Sequence, residues 1–309
     1  MLLAAALGFV LQRSSMCTVA NIERLVVQRR VDGLLGLGVA ICWAGVVLLG
    51  LAWMRPEAVW LPSEHGLSWL LIGGAVVMGA GSALNGGCFV GSIVRIGSGN
   101  LNFLATLVGI GLGLRLMQSI APPPTVNGQE AVRYVHEGSI AYVVAWASFL
   151  TIGAGAAAIA WHSSGYRRLT LRGTWPRVLA LSATGLLAGL MFARNPGWTY
   201  ASAVEALANA DRAPVIWSPL IAPVALFGGA MASAWASRRF QLQRMNLGDS
   251  LRSLCGGALM GVGAGLIPGG NDILLLWAIP GLTIYGTVAY AAMSVSIAAT
   301  IIAARGLRK

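Results

Sequence analysis

Apolar positions in this chain of 309 residues gather into long runs, not into the short alternating stretches of a half-buried strand. Nine runs stand out, at 2–13, 33–54, 67–84, 101–120, 139–161, 177–193, 215–236, 251–267 and 281–304. Several reach or approach the ~20 residues that a helix needs to cross a bilayer. Four shorter helical stretches lie between them, at 16–28, 88–96, 197–208 and 271–278. Each is too short to cross, and each follows a kink-prone cluster: "RSSM", "NGG", "RNPG" and "IPGG". Such interruptions predict broken or re-entrant half-helices, which survive at membrane depth only where protein or water satisfies the backbone. The pattern predicts an all-α polytopic membrane protein, one integral domain over 1–309, with about nine transmembrane helices and four short broken ones.

Composition agrees, with 57% hydrophobic and only 10% charged residues, against about a quarter charged in soluble domains. The opening "MLLAAALGFVLQR" is signal-like but lacks a basic start and a small-residue cleavage site, so a retained first helix is expected. A net charge of +11 raises nucleic acid as a partner. The bases fall in short segments between runs, however, where they set orientation in the lipid bilayer, and no nucleic acid is expected. If each run crosses once, sixteen of the 21 Lys and Arg share one face. The other face keeps Arg55, Arg115, Arg133, Arg194 and Arg212, with seven of the ten acids. The basic face is then cytoplasmic, with the N-terminus outside and the C-terminus inside.

Two blocks recur. "GFVLQRSSMCTVA" (8–20) over "GLMFARNPGWTYA" (189–201) aligns Gly8 with Gly189, Arg13 with Arg194, Thr18 with Thr199 and Cys17 with Trp198. "MGAGSALNGGC" (78–88) over "MGVGAGLIPGGN" (260–271) brings Gly-Gly over Gly-Gly and, with one inserted residue, Cys88 over Asn271. The first runs of the two copies are an odd number of crossings apart, so the copies are expected to be inverted. The expected division is repeat one at about 1–121, a connecting span at about 139–161 and repeat two at about 177–304. Inverted repeats with discontinuous helices place a substrate site near the midplane, at the repeat interface.

The break motifs carry the candidate chemistry. Half-helix starts offer unpaired N–H groups and a positive dipole end, which attract anions. Arg13 and Arg194 hold equivalent places at the breaks and are expected to line the route; Arg95 fits either the route or an inner-face topology role. Asn85, Gly86 and Gly87 interrupt their run. Cys17 and Cys88 fall in the two break motifs of one copy, whereas Cys42 and Cys255 read as packing residues. Thiols near cationic groups suit an anion with a soft, polarisable sulfur end, by weak S–H donation or by thiolate attack. No CxxC or Cys/His cluster supports a metal, and no cofactor is expected.

"LQRSSMCTVANIERL" (11–25) and "MGAGSALNGGCFVGSIVRIGSGN" (78–100), with their degenerate second copies, resemble the YeeE/YedE family of bacterial inner-membrane sulfur-compound transporters. The resemblance covers nearly the whole chain. It implies an hourglass protein that takes up thiosulfate through a neck lined by cysteines, by transient S–H···S contacts, with a small cytoplasmic sulfur carrier of the TusA type downstream. Two neck cysteines carry over onto Cys17 and Cys88. The third does not, because "LIPGGNDILLLWAIPG" places Gly270 or Asn271 where a thiol is expected, followed by Asp272. Asn271 can still donate to an anion's oxygens. Asp272 is open to three roles: pairing with an arginine, titrating as a coupling group or gate, or sitting at the outer rim. A related sulfur or selenium species therefore stays open as substrate.

The leading expectation is a transporter and not an enzyme. Nothing resembles an ATP-binding loop, so uptake would be gradient-driven or drawn by consumption inside. Two alternatives stand beside it: a membrane sulfurtransferase carrying persulfide on Cys17 or Cys88 to a soluble carrier, and an aquaporin-like channel for a neutral solute.

Overall fold

Side-chain caps start two of the long helices, Ser68 Oγ accepting from Leu71 N at 3.1 Å and Asn246 Oδ1 from Gly248 N at 3.2 Å. The computed structural model describes residues 1–14, 16–120, 139–163, 175–208, 218–267 and 269–306. The segments 121–138, 164–174 and 209–217, with Arg133, Arg167, Arg168, Arg172 and Arg212, lie outside the described residues, as do Ser15, Pro268, Arg308 and Lys309. The helices are α1 (Leu2–Ser14), α2 (Thr18–Gln28), α3 (Asp32–Met54), α4 (Trp69–Asn85), α5 (Phe89–Gly97), α6 (Leu104–Ile120) and α7 (Ile140–Ser163). There follow α8 (Arg177–Arg194), α9 (Tyr200–Ala208), α10 (Ser218–Ala236), α11 (Leu247–Leu266), α12 (Asn271–Ile273) and α13 (Ile284–Gly306). Beyond helices and turns, the described residues hold one isolated bridge, Asn100 to Gln243.

Among the described residues, all nine long runs are helical over most of their length, and so are the four short stretches. Seven stretches are long and apolar enough to cross a membrane, counting α1 with α2 and α4 with α5 as single stretches. An eighth is the bent pair of α11 with residues 271–278, turned through 56°. The apolar part of α10, Leu220–Ala236, is shorter than a full crossing. Two short elements differ in kind from a plain helix. Residues 197–208 divide into a 3-10 turn at Pro196–Trp198 and α9, because Asn195 Oδ1 accepts from Gly197 N at 2.9 Å and Thr199 Oγ1 from Ser202 N at 3.2 Å. Residues 271–278 begin as α12 and widen into a π turn at Leu274–Ala278, with Ile279 N donating to Leu274 O at 3.0 Å.

Contact without a strong hydrophobic drive rests on close backbone approach. α1 lies against α10 as α8 lies against α3, and α2 meets α13 as α9 meets α6. α5 touches α10 as the 274–278 turn touches α3, while α4 pairs with α11 and α1 with α8. The aligned glycines sit at these seams. Gly8 faces Leu226 of α10, and Gly189 faces Ala44 of α3. Gly79 faces Met293 of α13 and Gly261 faces Ile110 of α6, whereas Gly81 and Gly263 sit on the α4–α11 seam. A Cβ at any of them would meet backbone at 3.0 Å or less.

α7 stands outside this arrangement. Only 11% of its apolar window is buried, against 65% for the α1–α2 stretch, so most of its surface faces outward. It is fastened to α3 by Tyr142 Oη donating to Leu49 O at 2.6 Å and Trp146 Nε1 donating to Val46 O at 3.1 Å.

Two straps tie the ends together. In the 55–68 segment, Trp60 N donates to Ala193 O at 2.9 Å, and Trp60 O accepts from Trp277 Nε1 at 2.9 Å. Glu64 there takes the first two N–H groups of α13, from Ile284 at 3.0 Å and Tyr285 at 2.9 Å. This is a carboxylate cap supplied from a distant segment. The 237–246 segment mirrors it: Gln241 N and Gln243 N donate to Ser98 O and Gly99 O, each at 2.9 Å, and Asn246 N donates to Asn102 Oδ1 at 2.8 Å.

Candidate functional site

The site forms where chain breaks from both ends of the sequence cross. Between α1 and α2 the backbone turns extended, and Cys17 becomes the residue capping α2, with φ −95° and ψ 115°. The break after α4 is built more firmly. Gly86 takes φ +73°, a left-handed conformation in which a side chain is strained, and its N–H closes onto Ala83 O. Asn85 then knots the turn. Its Nδ2 donates to Gly87 O at 2.8 Å and Ser92 Oγ at 3.2 Å, and its Oδ1 accepts from Thr106 Oγ1 at 2.8 Å. Arg95 fastens the same turn from the other side, donating to Gly86 O at 3.1 Å with its guanidinium 5.0 Å from the Phe103 ring centre. Cys88 follows as the residue capping α5.

These two caps bring the thiols together. Cys88 Sγ lies 3.7 Å from Cys17 Sγ, Cys88 fully buried and Cys17 half-buried, and neither is in a disulfide. Gly91, one turn into α5, makes the room: a Cβ there would stand 2.6 Å from Cys17 Sγ. The third break closes the site. Asn271 is fully buried, its Oδ1 accepting from Phe89 N at 3.1 Å and its Nδ2 reaching Thr18 Oγ1 at 3.5 Å. One amide therefore bridges the first turns of α2 and α5. Tyr290 Oη lies 3.0 Å from the same Thr18 hydroxyl, and Tyr200 Oη donates to Phe89 O at 3.1 Å. Gly270 packs on Phe89, and Asp272 beside it is 4% exposed. Its Oδ1 finds no hydrogen-bond partner among the described residues.

A cavity of about 320 Å³ runs up to Gly270, with His65, Gln118, Ser202 and Glu205 among its lining. Gln118 Nε2 donates to Glu205 Oε1 at 3.1 Å. His65 packs edge-on against Tyr285, and burial lowers its affinity for a proton despite the Ser63 carbonyl and the nearby Glu64.

The structure gathers Cys17, Cys88, Gly270, Asn271 and Asp272 around Phe89, with Asn85 and Gly87 directly behind Cys88. Arg13 and Arg194 sit elsewhere, while Arg95 braces the turn before Cys88 from outside. Arg13 Nε donates to Ser233 Oγ at 3.0 Å, and its guanidinium lies over the rings of Phe9 and Trp175. Arg194 is exposed at the end of α8, and Arg95 is exposed at the end of α5. Cys42 is buried within α3, and Cys255 is exposed on α11. Gly91, Thr18, Tyr200 and Tyr290 complete the surroundings, unanticipated as site residues. Gly91 had a readable signal, a small residue one turn after Cys88; Tyr290 lies in an ordinary apolar run and had none. Among the described residues no trio of His, Cys, Asp or Glu is grouped to hold a metal ion.

Chemically, two S–H groups and the positive starts of α2 and α5 face one another across a few ångströms. That setting favours a soft anion over a hard cation. A family model described as sulphur transport matches residues 13–299. The chain belongs to the sulphur-transport family. It is also 25% identical over 311 residues to the thiosulfate transporter TsuA of Escherichia coli (strain K12), covering 88% of this chain and 85% of that one. Membership of the sulphur-transport family, together with the apolar helices, makes this a multi-pass membrane protein of sulfur transport. The family is the one the break motifs resemble.

Proposed function

We propose that the protein takes up a small sulfur anion, thiosulfate first among them, through the constriction between Cys17 and Cys88 at the meeting of two inverted repeats. The observation that carries the reading is the 3.7 Å approach of two free thiols, each capping a broken half-helix. Nine crossings are assigned, with α7 as the connecting span, repeat one at 1–121 and repeat two at 177–304. The exchanged helix contacts and the aligned seam glycines support that division.

In this reading the protein sits in the bacterial inner membrane, N-terminus outside. The cavity at His65 and Glu205 is the outer vestibule, and the anion passes from Gly270 and Asn271 to the thiols. S–H groups donate weakly to its terminal sulfur, while the Asn271 amide holds its oxygens. Arg24, Arg29, Arg239 and Arg252 lie on the receiving side, where a TusA-like carrier would collect the product. The role for Arg13 and Arg194 narrows to drawing anions toward the two mouths.

The test is uptake of ³⁵S-thiosulfate, and growth on it, in a bacterium lacking its own sulfur uptake. Wild type should restore both, and Cys17→Ala and Cys88→Ala should each lower uptake at least tenfold at equal membrane abundance. Wild-type rates in both variants would remove the thiols from the pathway.

A further inference from the structure

A thiosulfate-like dianion entering a cell moves against the membrane potential. A potential of 100 mV, negative inside, holds down the attainable ratio of a dianion by roughly 2,500-fold, about 50-fold for each charge. Passage through a neck of thiols does nothing to offset this. A group that carries a proton inward with each anion does.

Among the described residues the site holds one carboxylate. Asp272 is 4% exposed, forms no salt bridge among the described residues, and leaves Oδ1 without a hydrogen-bond partner. No cation stands among its neighbours: Tyr200 comes from α9, Phe89 of α5 packs on Gly270, Asn271 precedes it, and the backbone N–H groups of Asp272 and Ile273 face the carboxyl. A buried carboxylate with no cation beside it is among the costlier arrangements in a protein, and at membrane depth it is a functional candidate. Ionised, it repels an anion arriving at Asn271. Protonated, it presents an O–H donor aimed into the same space. The cavity that His65, Gln118, Ser202 and Glu205 line together with apolar side chains reaches Gly270 and Ile273, on either side of Asp272 in the chain, and a Cβ on Gly270 would stand 2.6 Å from Asp272 Oδ1, so the carboxyl lies one residue from the cavity wall.

We infer that Asp272 is a proton-coupling residue: it takes one proton from the vestibule as the anion binds and releases it on the far side, making uptake a proton–anion symport. The carboxylate is regenerated each cycle, and one proton accompanies each anion through this group. The inference rests on the transport reading above.

The experiment uses the purified full chain in liposomes, with the potential clamped at zero by potassium and valinomycin. Exchange of ³⁵S-thiosulfate at equal pH on both sides tests transport itself. An outside pH lower by 1.5 should then accumulate label by up to about 30-fold for one coupled proton, with entrapped dye reporting inward proton flow. Asp272→Asn should hold the ratio near one, and Asp272→Glu should keep accumulation. Asp272→Ser serves if the Asn variant does not fold, and wild-type proton flow decides the coupling in any case. Wild-type exchange without accumulation or proton flow overturns the inference. So does accumulation that survives in Asp272→Asn and disappears in Glu205→Gln. No exchange at all in wild type would overturn the transport reading, and the inference with it.

Discussion

Gly91→Ala is the most informative single change. The new Cβ would lie 2.6 Å from Cys17 Sγ, 3.4 Å from Cys17 Cβ and 3.7 Å from Cys88 Sγ. Ordinary carbon–sulfur contact needs about 1 Å more than the shortest of these, since non-bonded atoms settle near ~3.5–4.0 Å. Gly91 is held within α5 and Cys17 stands directly before α2, so the cheapest relief turns the Cys17 side chain away and opens the pair beyond 3.7 Å. Two energies oppose each other. Alanine stabilises the α5 backbone by about 0.5–1 kcal/mol relative to glycine, while overpacking costs about 1–3 kcal/mol. Net destabilisation should stay within about 2.5 kcal/mol, and the variant should reach the membrane folded. Transport should fall at least tenfold nonetheless. The assay pairs ³⁵S-thiosulfate uptake with the rate of oxidative crosslinking between Cys17 and Cys88, read by peptide mass. Wild type should crosslink readily, because a rotamer change brings the sulfurs to bonding distance, and Gly91→Ala should crosslink slowly. Unchanged uptake together with unchanged crosslinking would refute the packing argument.

Other changes probe the scaffold. Asn85→Ala strips the knot from the α4–α5 break and leaves Thr106 Oγ1 without its acceptor in a buried site; it should cost about 2–4 kcal/mol, seen as a lower melting temperature in detergent, and should lower uptake. Glu64→Gln keeps the shape of the α13 cap but removes its charge, so about 1 kcal/mol should be lost, and Glu64→Ala should lose about twice that. Gly261→Leu drives a branched side chain into the Ile110 backbone of α6 and should prevent stable accumulation, read by membrane abundance.

Much of the scaffold was legible because its punctuation is chemical. Gly86 and the "NGG" and "RNPG" clusters mark helix ends by a left-handed turn or a side-chain cap, which local sequence encodes, whereas the Asn246 cap that starts α11 at Leu247 was not read from the apolar run at 251. The paired thiols were legible for a related reason, since each follows such a break. The neighbours of the arginines were not legible. Their spacing placed Arg13 and Arg194 at breaks, but a guanidinium reaches 6 Å or so from its backbone, and rings at Phe9 and Trp175 hold that of Arg13. Nothing local encodes which neighbour a long side chain will meet. Asn271 was expected to face the substrate; that it also bridges Phe89 and Thr18 depends on three distant segments meeting. Tyr290 and Tyr200 were hidden for the same reason. The π turn at Leu274–Ala278 has no signature of its own, because i+5 bonding answers to the packing around it.

The two straps bear on how such a molecule can move. The 55–68 segment of the first half clasps Ala193, Trp277 and the start of α13 in the second, and the 237–246 segment of the second half clasps the turn before α6 in the first. Rocking one half against the other would have to tear one clasp or the other in every cycle, at about 1 kcal/mol for each neutral bond and more for the carboxylate. A body latched reciprocally at both ends is poorly suited to wide alternation. Under the transport reading proposed above, Asp272 would be exposed to each side in turn by rotamer-sized gating of the neck, not by wide rocking of the two halves.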